Sequence, residues 1–216
     1  MDLPLDIKFM IASFDIDTWI KLSFLDDEFK RFSYNEGRKI FIDLFTILCE
    51  NKYVKHWRIF GKINSNNDQP ASIYPNGDKY WYQNNKLHRD NDEPAVIYSN
   101  GTQEWYQNGL LHRDNDQPAR ICSKGDKYWY QNGKCHRDND EPAVIDGYGK
   151  RWIINDKLHR EDDKPAIIYA NGHKEWYQNG HLHRDNDQPA IINVNGDRVW
   201  YKNGIVRNVI VQSLMT

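Results

Sequence analysis

The sequence predicts a mainly β chain: an elongated single antiparallel sheet of stacked hairpin repeats, with a small α-helical cap at its N-terminus. Three observations lead there. Tryptophan, proline and histidine recur with a 24-residue step. Asn-Gly pairs stand between β-branched and aromatic runs. The first 55 residues have a helical periodicity and none of the repeat.

The step decides the architecture, because a period of this length means stacked structural units. Trp57, Trp81, Trp105, Trp129, Trp152, Trp176 and Trp200 are spaced 24, 24, 24, 23, 24 and 24 residues apart. Pro70, Pro94, Pro118, Pro142, Pro165 and Pro189 keep the same rhythm, as do His88, His112, His136, His159 and His183. Residues 94–117 are a clean copy. The copy at Trp57 is worn, with Asn64 in place of His and Ser65 in place of Arg, and the last stops at Val206-Arg207. End units have one neighbour each, so departures are expected there.

Within a unit, Ala95-Val96-Ile97-Tyr98 and Gln103-Glu104-Trp105-Tyr106 read as strands. Asn100-Gly101 between them is a hairpin signal, since a tight turn asks both residues for φ > 0. Asn108-Gly109 forms a second turn; Asn85 and Asp156 replace its glycine in two units and tolerate the same backbone region. Leu111-His112-Arg113 leads into the polar connection Asp114-Asn115-Asp116-Gln117, and Pro118 opens the next strand, where a missing N–H is harmless. The step from Pro142 to Trp152 is ten residues instead of eleven, and the loss falls in the turn at Asp146-Gly147-Tyr148-Gly149. Two strands per unit give a rise of roughly 9.6 Å, or roughly 58 Å for six units.

Residues 1–55 step differently. Ile7, Met10, Ile11 and Phe14 fall at helical spacing, as do Trp19, Leu22 and Phe29 with Leu25, and Ile40, Phe41, Leu44, Phe45 and Leu48. Asp17 or Thr18, and Ser33 or Asn35, are candidate caps. The expected division is a helical segment at 1–55, the array at 56–207 and a tail at 208–216.

Composition narrows the function. Net charge is −2 and evenly spread, which counts against nucleic acid and anionic lipid, both of which need a positive field. The N-terminus carries acids where a secretion signal carries Lys or Arg. Cys49, Cys122 and Cys135 fit no pairing framework and no metal spacing, so a reducing intracellular compartment is expected.

His-Arg-Asp at residues 88–90, 112–114, 136–138 and 183–185 has the order of a kinase catalytic loop, but it recurs from unit to unit, with Glu161 replacing Asp in the remaining copy, and without a phosphate loop. Its expected role is structural: a polar row of His88, Arg89, His112, Arg113, His136, Arg137, His159, Arg160, His183 and Arg184. A zinc ladder is opposed by spacing, since neighbouring units stand roughly 9.6 Å apart. The Asp-Asn-Asp runs lack a calcium loop's glycine and closing Glu; capping of turns and pairing with Arg of the same or next unit is expected instead. No unique, unrepeated polar constellation stands in the array, which places enzyme chemistry last. Trp105 and Tyr106 should point to opposite faces. One aromatic row, drawn from Trp81, Trp105, Trp129, Trp152, Trp176, Tyr82, Tyr106, Tyr130 and Tyr177, is expected to face outward as a binding surface.

The pattern Trp-x-x-Asn-Gly-x-x-His with Tyr-x-Asn-Gly, over residues 57–207, resembles MORN repeats, and especially the MORN-variant arrays of giant DNA viruses of the Marseillevirus type. Arg-Asp-Asn-Asp stands where the usual MORN glycines follow the His. Leu3-Pro4-x-Asp6-Ile7-x-x-x-Ile11, Trp19-x-x-Leu22-Ser23 and Phe29 resemble an F-box. That resemblance implies docking on a Skp-type adaptor of a ubiquitin ligase; the other reading is that the helices only cover the first sheet edge. The expected function is a non-enzymatic protein-interaction scaffold without cofactor, in host cytoplasm or virion. The alternatives are a structural or self-assembling protein and, on the MORN resemblance alone, a lipid-surface binder.

Overall fold

The computed structural model describes residues 68–212, residues 62–65, and the short strands Cys49–Glu50, Lys55–His56 and Arg58–Ile59. The F-box-like positions and Trp57 itself lie outside the described residues. Cys49–Glu50 pairs antiparallel with Lys55–His56, so the sheet begins inside the segment assigned to the helical cap.

The chain is mainly β. One sheet holds fifteen strands in sequence order, thirteen of them between Ser72 and Ile210. In the unit 94–117, Val96–Ile97 pairs with Gln103–Glu104 in register Ile97↔Gln103 and Val96↔Glu104. The other edge of Gln103–Glu104 pairs with Arg120–Ile121 of the next unit. Each unit is thus joined to its neighbour by the same ladder that closes its own hairpin.

The two Asn-Gly turns differ. In the first, only Gly101 has positive φ (88°), and the loop spans five residues, closed by Tyr98 N–H to the Thr102 carbonyl at 2.9 Å. Asn100 contributes its side chain instead: Oδ1 accepts the Thr102 N–H at 2.8 Å. In the second, Asn108 and Gly109 sit at φ 52° and 86°, as a tight hairpin turn demands. Asn84-Asn85 and Asn155-Asp156 hold the same region, so that turn survives the loss of its glycine.

The second hairpin forms a column of its own, which the single-sheet expectation did not contain. Trp105 is the branch point. Its N–H donates to the Ala119 carbonyl at 2.8 Å, toward the next unit, and its carbonyl accepts the His112 N–H at 3.1 Å, toward its own hairpin. Tyr106–Gln107 then pairs with Leu110–Leu111. Six such two-stranded hairpins stand beside the main sheet. Single bonds tie them together, such as Gly109 N–H to the Leu87 carbonyl at 2.8 Å.

The core is a row of small and large residues. Ala71, Ala95, Ala119, Ala143, Ala166 and Ala190 are fully buried, and Trp81, Trp105, Trp129, Trp152 and Trp176 are nearly so. A β-carbon beside an indole fills this space, and anything larger would push the strands apart.

The shortened unit keeps its pairing. Val144–Asp146 and Gly149–Arg151 gain one residue each over the usual strands, in register Asp146↔Gly149, around a two-residue turn. Arg151 donates to the Asp146 carboxylate across it. The C-terminal end is closed differently. Ile205–Ile210 pairs along the whole of Arg198–Lys202 with a bulge at Trp200/Tyr201, serving one strand as hairpin partner and as next-unit partner together. The sheet therefore runs past residue 207, and the expected tail begins as a strand.

Candidate functional site

The repeated polar residues build a frame shared between units. Arg113 donates from Nε and Nη2 to the two oxygens of Asp92, in the preceding unit, at 2.8 and 2.9 Å. Its guanidinium lies 3.9 Å from the centroid of the Trp105 ring. Trp105 Nε1 donates to the Asp92 carbonyl at 2.9 Å. One residue of the preceding unit therefore receives both the Arg and the Trp of the following one. Arg89–Asp68, Arg137–Asp116, Arg160–Asp140 and Arg184–Asp163 repeat the fork. The pairing expected between Asp and the next unit's Arg is thus made by the last Asp of the first three Asp-Asn-Asp runs, Asp92, Asp116 and Asp140, and by Asp68 and Asp163 at the same unit position.

The fork holds the Asp92, Asp116 and Asp163 carboxylates below the ordinary range, through the Arg hydrogen bonds first. With Lys164 added to Arg160, Asp140 falls to about 2. A carboxylate whose pKa is lowered by folding adds stability fully above its unfolded value and loses it as pH falls through the folded value. Resistance to urea is therefore expected to hold from neutral pH to roughly 4.5 and to drop between roughly 4 and 2. A denaturation series across that range checks it; a drop centred near pH 6 to 7 would place the control in the histidines.

Each of the five histidines of the repeated row bridges two units. The Asn132 backbone N–H donates to His112 Nδ1 at 3.1 Å, which leaves the ring proton on Nε2, 3.0 Å from Asp114 Oδ1. His88, His136, His159 and His183 repeat the bond to Asn108, Asn155, Asn179 and Asn203. The worn copy keeps the acceptor by other means: Asn64 Oδ1 takes the Asn84 N–H at 2.7 Å, and Ser65 Oγ takes the Tyr82 N–H at 3.0 Å. In the described complete His-Arg-Asp triplets all three side chains are engaged by neighbouring groups, which is the geometry of a joint. The clefts between successive loops, of about 140 and 160 Å³, are smaller than the roughly 300 Å³ at which ligand pockets begin.

The tryptophans expected as surface aromatics are instead interior. Trp81, Trp105, Trp129, Trp152 and Trp176 are 4–7% exposed, because the polar loops fold back over them and each Arg covers a ring. The tyrosines occupy the opposite face, where Tyr82, Tyr106, Tyr130 and Tyr177 are partly exposed.

That face carries what does not repeat. The residue before each tryptophan runs Tyr80, Glu104, Tyr128, Arg151, Glu175, Val199. Glu104, 5% exposed, accepts from the Tyr98 and Tyr106 hydroxyls, each at 3.1 Å, and its other oxygen is 3.4 Å from Arg120 Nε. Three units on, Glu175 accepts from Tyr177 at 2.9 Å and lies 2.8 Å from His173 Nε2. Tyr74, Tyr80 and Tyr98 meet edge to face, with centroids 5.1 and 6.3 Å apart. Burial, then Glu104, pushes the Tyr98 hydroxyl up to about 12 and raises Tyr106 as well, so both remain donors. Cys135, buried, is raised to about 11 and stays a thiol.

Two polar clusters stand on this face, Tyr98, Glu104 and Tyr106 with Arg120, and Tyr169, Glu175 and Tyr177 with His173; the Tyr-Glu-Tyr triad is common to these two units, and only the fourth partner is unrepeated. The first cluster draws Arg120 from the next unit, while the second lies within residues 169–177. Aligning the units column by column is the signal that exposes the variation. No protein-family model matches this chain, and no curated protein matches it. Fold and site define a β-hairpin repeat protein with an invariant frame on one face and a variable face on the other.

Proposed function

We propose that this chain is a non-enzymatic protein-interaction scaffold. The observation behind it is the division of labour within each unit. Trp, Arg, Asp and His are spent on joints and barely vary, while charge and hydrogen-bonding character change from unit to unit on the tyrosine face. Repeat binders are built this way, since substitutions on an exposed face leave neighbouring units coupled. On the resemblances, the array is of the MORN-variant viral kind and acts in the host cell or virion. Leu3, Pro4, Ile7, Ile11, Trp19, Leu22 and Phe29 then dock a Skp-type adaptor. The test has two parts. A photoreactive phenylalanine at Tyr130 should crosslink to a protein partner in cells, and the purified chain should retain a purified Skp-type adaptor unless Leu3→Ala and Pro4→Ala are introduced. No adduct sinks the scaffold; no retention by the unaltered chain sinks the adaptor.

A second reading, self-assembly, has its own observation. Among the described residues no strand pairs with the outer edge of Ile205–Ile210, where Ile205, Val206 and Val209 are 59, 50 and 53% exposed. Open edges of this kind invite another chain. A strict monomer by light scattering at high concentration would remove it.

A further inference from the structure

The main sheet has a second open stripe, on the face opposite the tyrosines. Alternation along each strand places Ile97 and Gln103 on the tryptophan side, beyond the part that the loops cover. The register aligns these columns straight across the strands: Ile73↔Lys79↔Ile97↔Gln103↔Ile121↔Lys127. The line continues Lys127↔Ile145↔Lys150↔Ile168↔Lys174↔Ile192↔Arg198. Twelve strands thus carry one unbroken row in which isoleucine alternates with a cation, and only Gln103 is neutral. Lys79, Lys127, Lys150, Lys174 and Arg198 are exposed, and none makes an ion pair within the described residues. Within these twelve strands the row holds no acid; the register runs on from Ile73 to Lys55 and then to Glu50. The near-neutral charge of the whole chain conceals it.

We propose that this ridge binds an acidic segment of a partner protein in the extended polyproline II conformation, with an acid at every third residue. Charge complementarity sets the sign of the partner. Pitch sets its form. Cations recur every two strands, at roughly 9.6 Å. A polyproline II helix advances roughly 9.3 Å per three-residue turn, so every third side chain points the same way at nearly that interval. The mismatch of roughly 0.3 Å per unit lies within the reach of flexible lysine stems. Duplex nucleic acid places its charges far more closely, roughly every 1.7 Å along the axis, and matches no such comb. The isoleucines between the cations give the backbone and rings of such a segment an apolar bed. This proposal rests on the scaffold reading and names one class of partner for it.

The test uses the full chain and two synthetic peptides of four Glu and six Pro. One places Glu at its positions 1, 4, 7 and 10, spanning Lys127 to Arg198; the other groups the four acids together. In fluorescence anisotropy at low salt, the regular peptide is expected to bind about tenfold more tightly than the grouped one. Joint substitution Lys127→Gln, Lys150→Gln and Lys174→Gln, at exposed positions, should erase that difference without changing the circular dichroism spectrum. Gln103→Lys supplies a gain: a longer peptide with six regularly spaced acids should bind more tightly to it than to the native chain. Equal binding of the two peptides, indifference to the lysine substitutions, or a preference for duplex DNA or phosphatidylserine vesicles over the regular peptide would overturn the proposal. The photocrosslink at Tyr130 reports the other face, so a crosslinked partner with no peptide binding overturns the ridge and leaves the scaffold standing.

Discussion

Gly149→Ala is expected to destabilise the array by about 3 kcal/mol, lowering its thermal midpoint by on the order of 10 °C. Two effects add. Gly149 sits at φ 138°, a region that side chains rarely adopt, and an added β-carbon would lie 2.1 Å from the Ile168 carbonyl oxygen and 2.8 Å from the Tyr169 Cα. Both obstacles are backbone, and the second strand belongs to the next unit, so relief means parting the ladder between them. Gly125→Ala is the control: its φ is 91° but nothing lies within 4 Å of the added atom. It should cost about 1 kcal/mol, the conformational share alone. Equal effects of the two substitutions would show that the close approach to Ile168 plays no part. The shortened turn explains why the glycine is needed. Losing one residue drew Gly149 into the ladder.

Trp129→Ala is the other large effect, about 3–5 kcal/mol by urea denaturation. The indole is 7% exposed, packs with Cys135, Ala143 and Val144, bonds through Nε1 to the Asp116 carbonyl at 2.9 Å, and lies under Arg137 at 4.0 Å. Removing it leaves a cavity and strands a carbonyl in the preceding unit. Trp200→Ala should cost clearly less. Trp200 keeps the bond to the Asp187 carbonyl at 2.9 Å, but it is partly exposed, and Asn208 stands where the other units have the covering Arg. If the two substitutions cost the same, the coupling between units is not what makes the internal tryptophans valuable.

Much of the fold was legible because it follows local rules. The repeat step, the Asn108-Gly109 turn, the tolerance for Asn85 and Asp156, and the harmless deletion all come from backbone preferences carried by a few residues. The branch at Trp105 was not, since its two carbonyl and amide partners, His112 and Ala119, lie in different units and nothing in a single strand announces a change of neighbour. Alternation correctly set Trp105 and Tyr106 on opposite faces. It could not say which face a polar loop would cover, and that depends on Arg113 reaching back to Asp92. The groups that change from unit to unit on the tyrosine face, and the cationic ridge, become visible only when register aligns one residue from each unit. The helical reading of Leu3 to Phe29 lies outside the described residues.

The joints between units have a direction. In each one the following unit supplies the indole N–H and the turn amide, and in all but the last the guanidinium, while the preceding unit supplies the acceptors. Because the same three contacts recur at the seams before Asp187, a duplicated 24-residue block could be inserted at any of these without creating a new kind of contact. Array length is therefore a quantity that gene duplication can change freely. The folded-back strand Ile205–Ile210 breaks this rule, for it takes the place of a following unit. Lengthening is confined to the units before that strand, and homologous chains of different length should keep it and differ by whole units ahead of it.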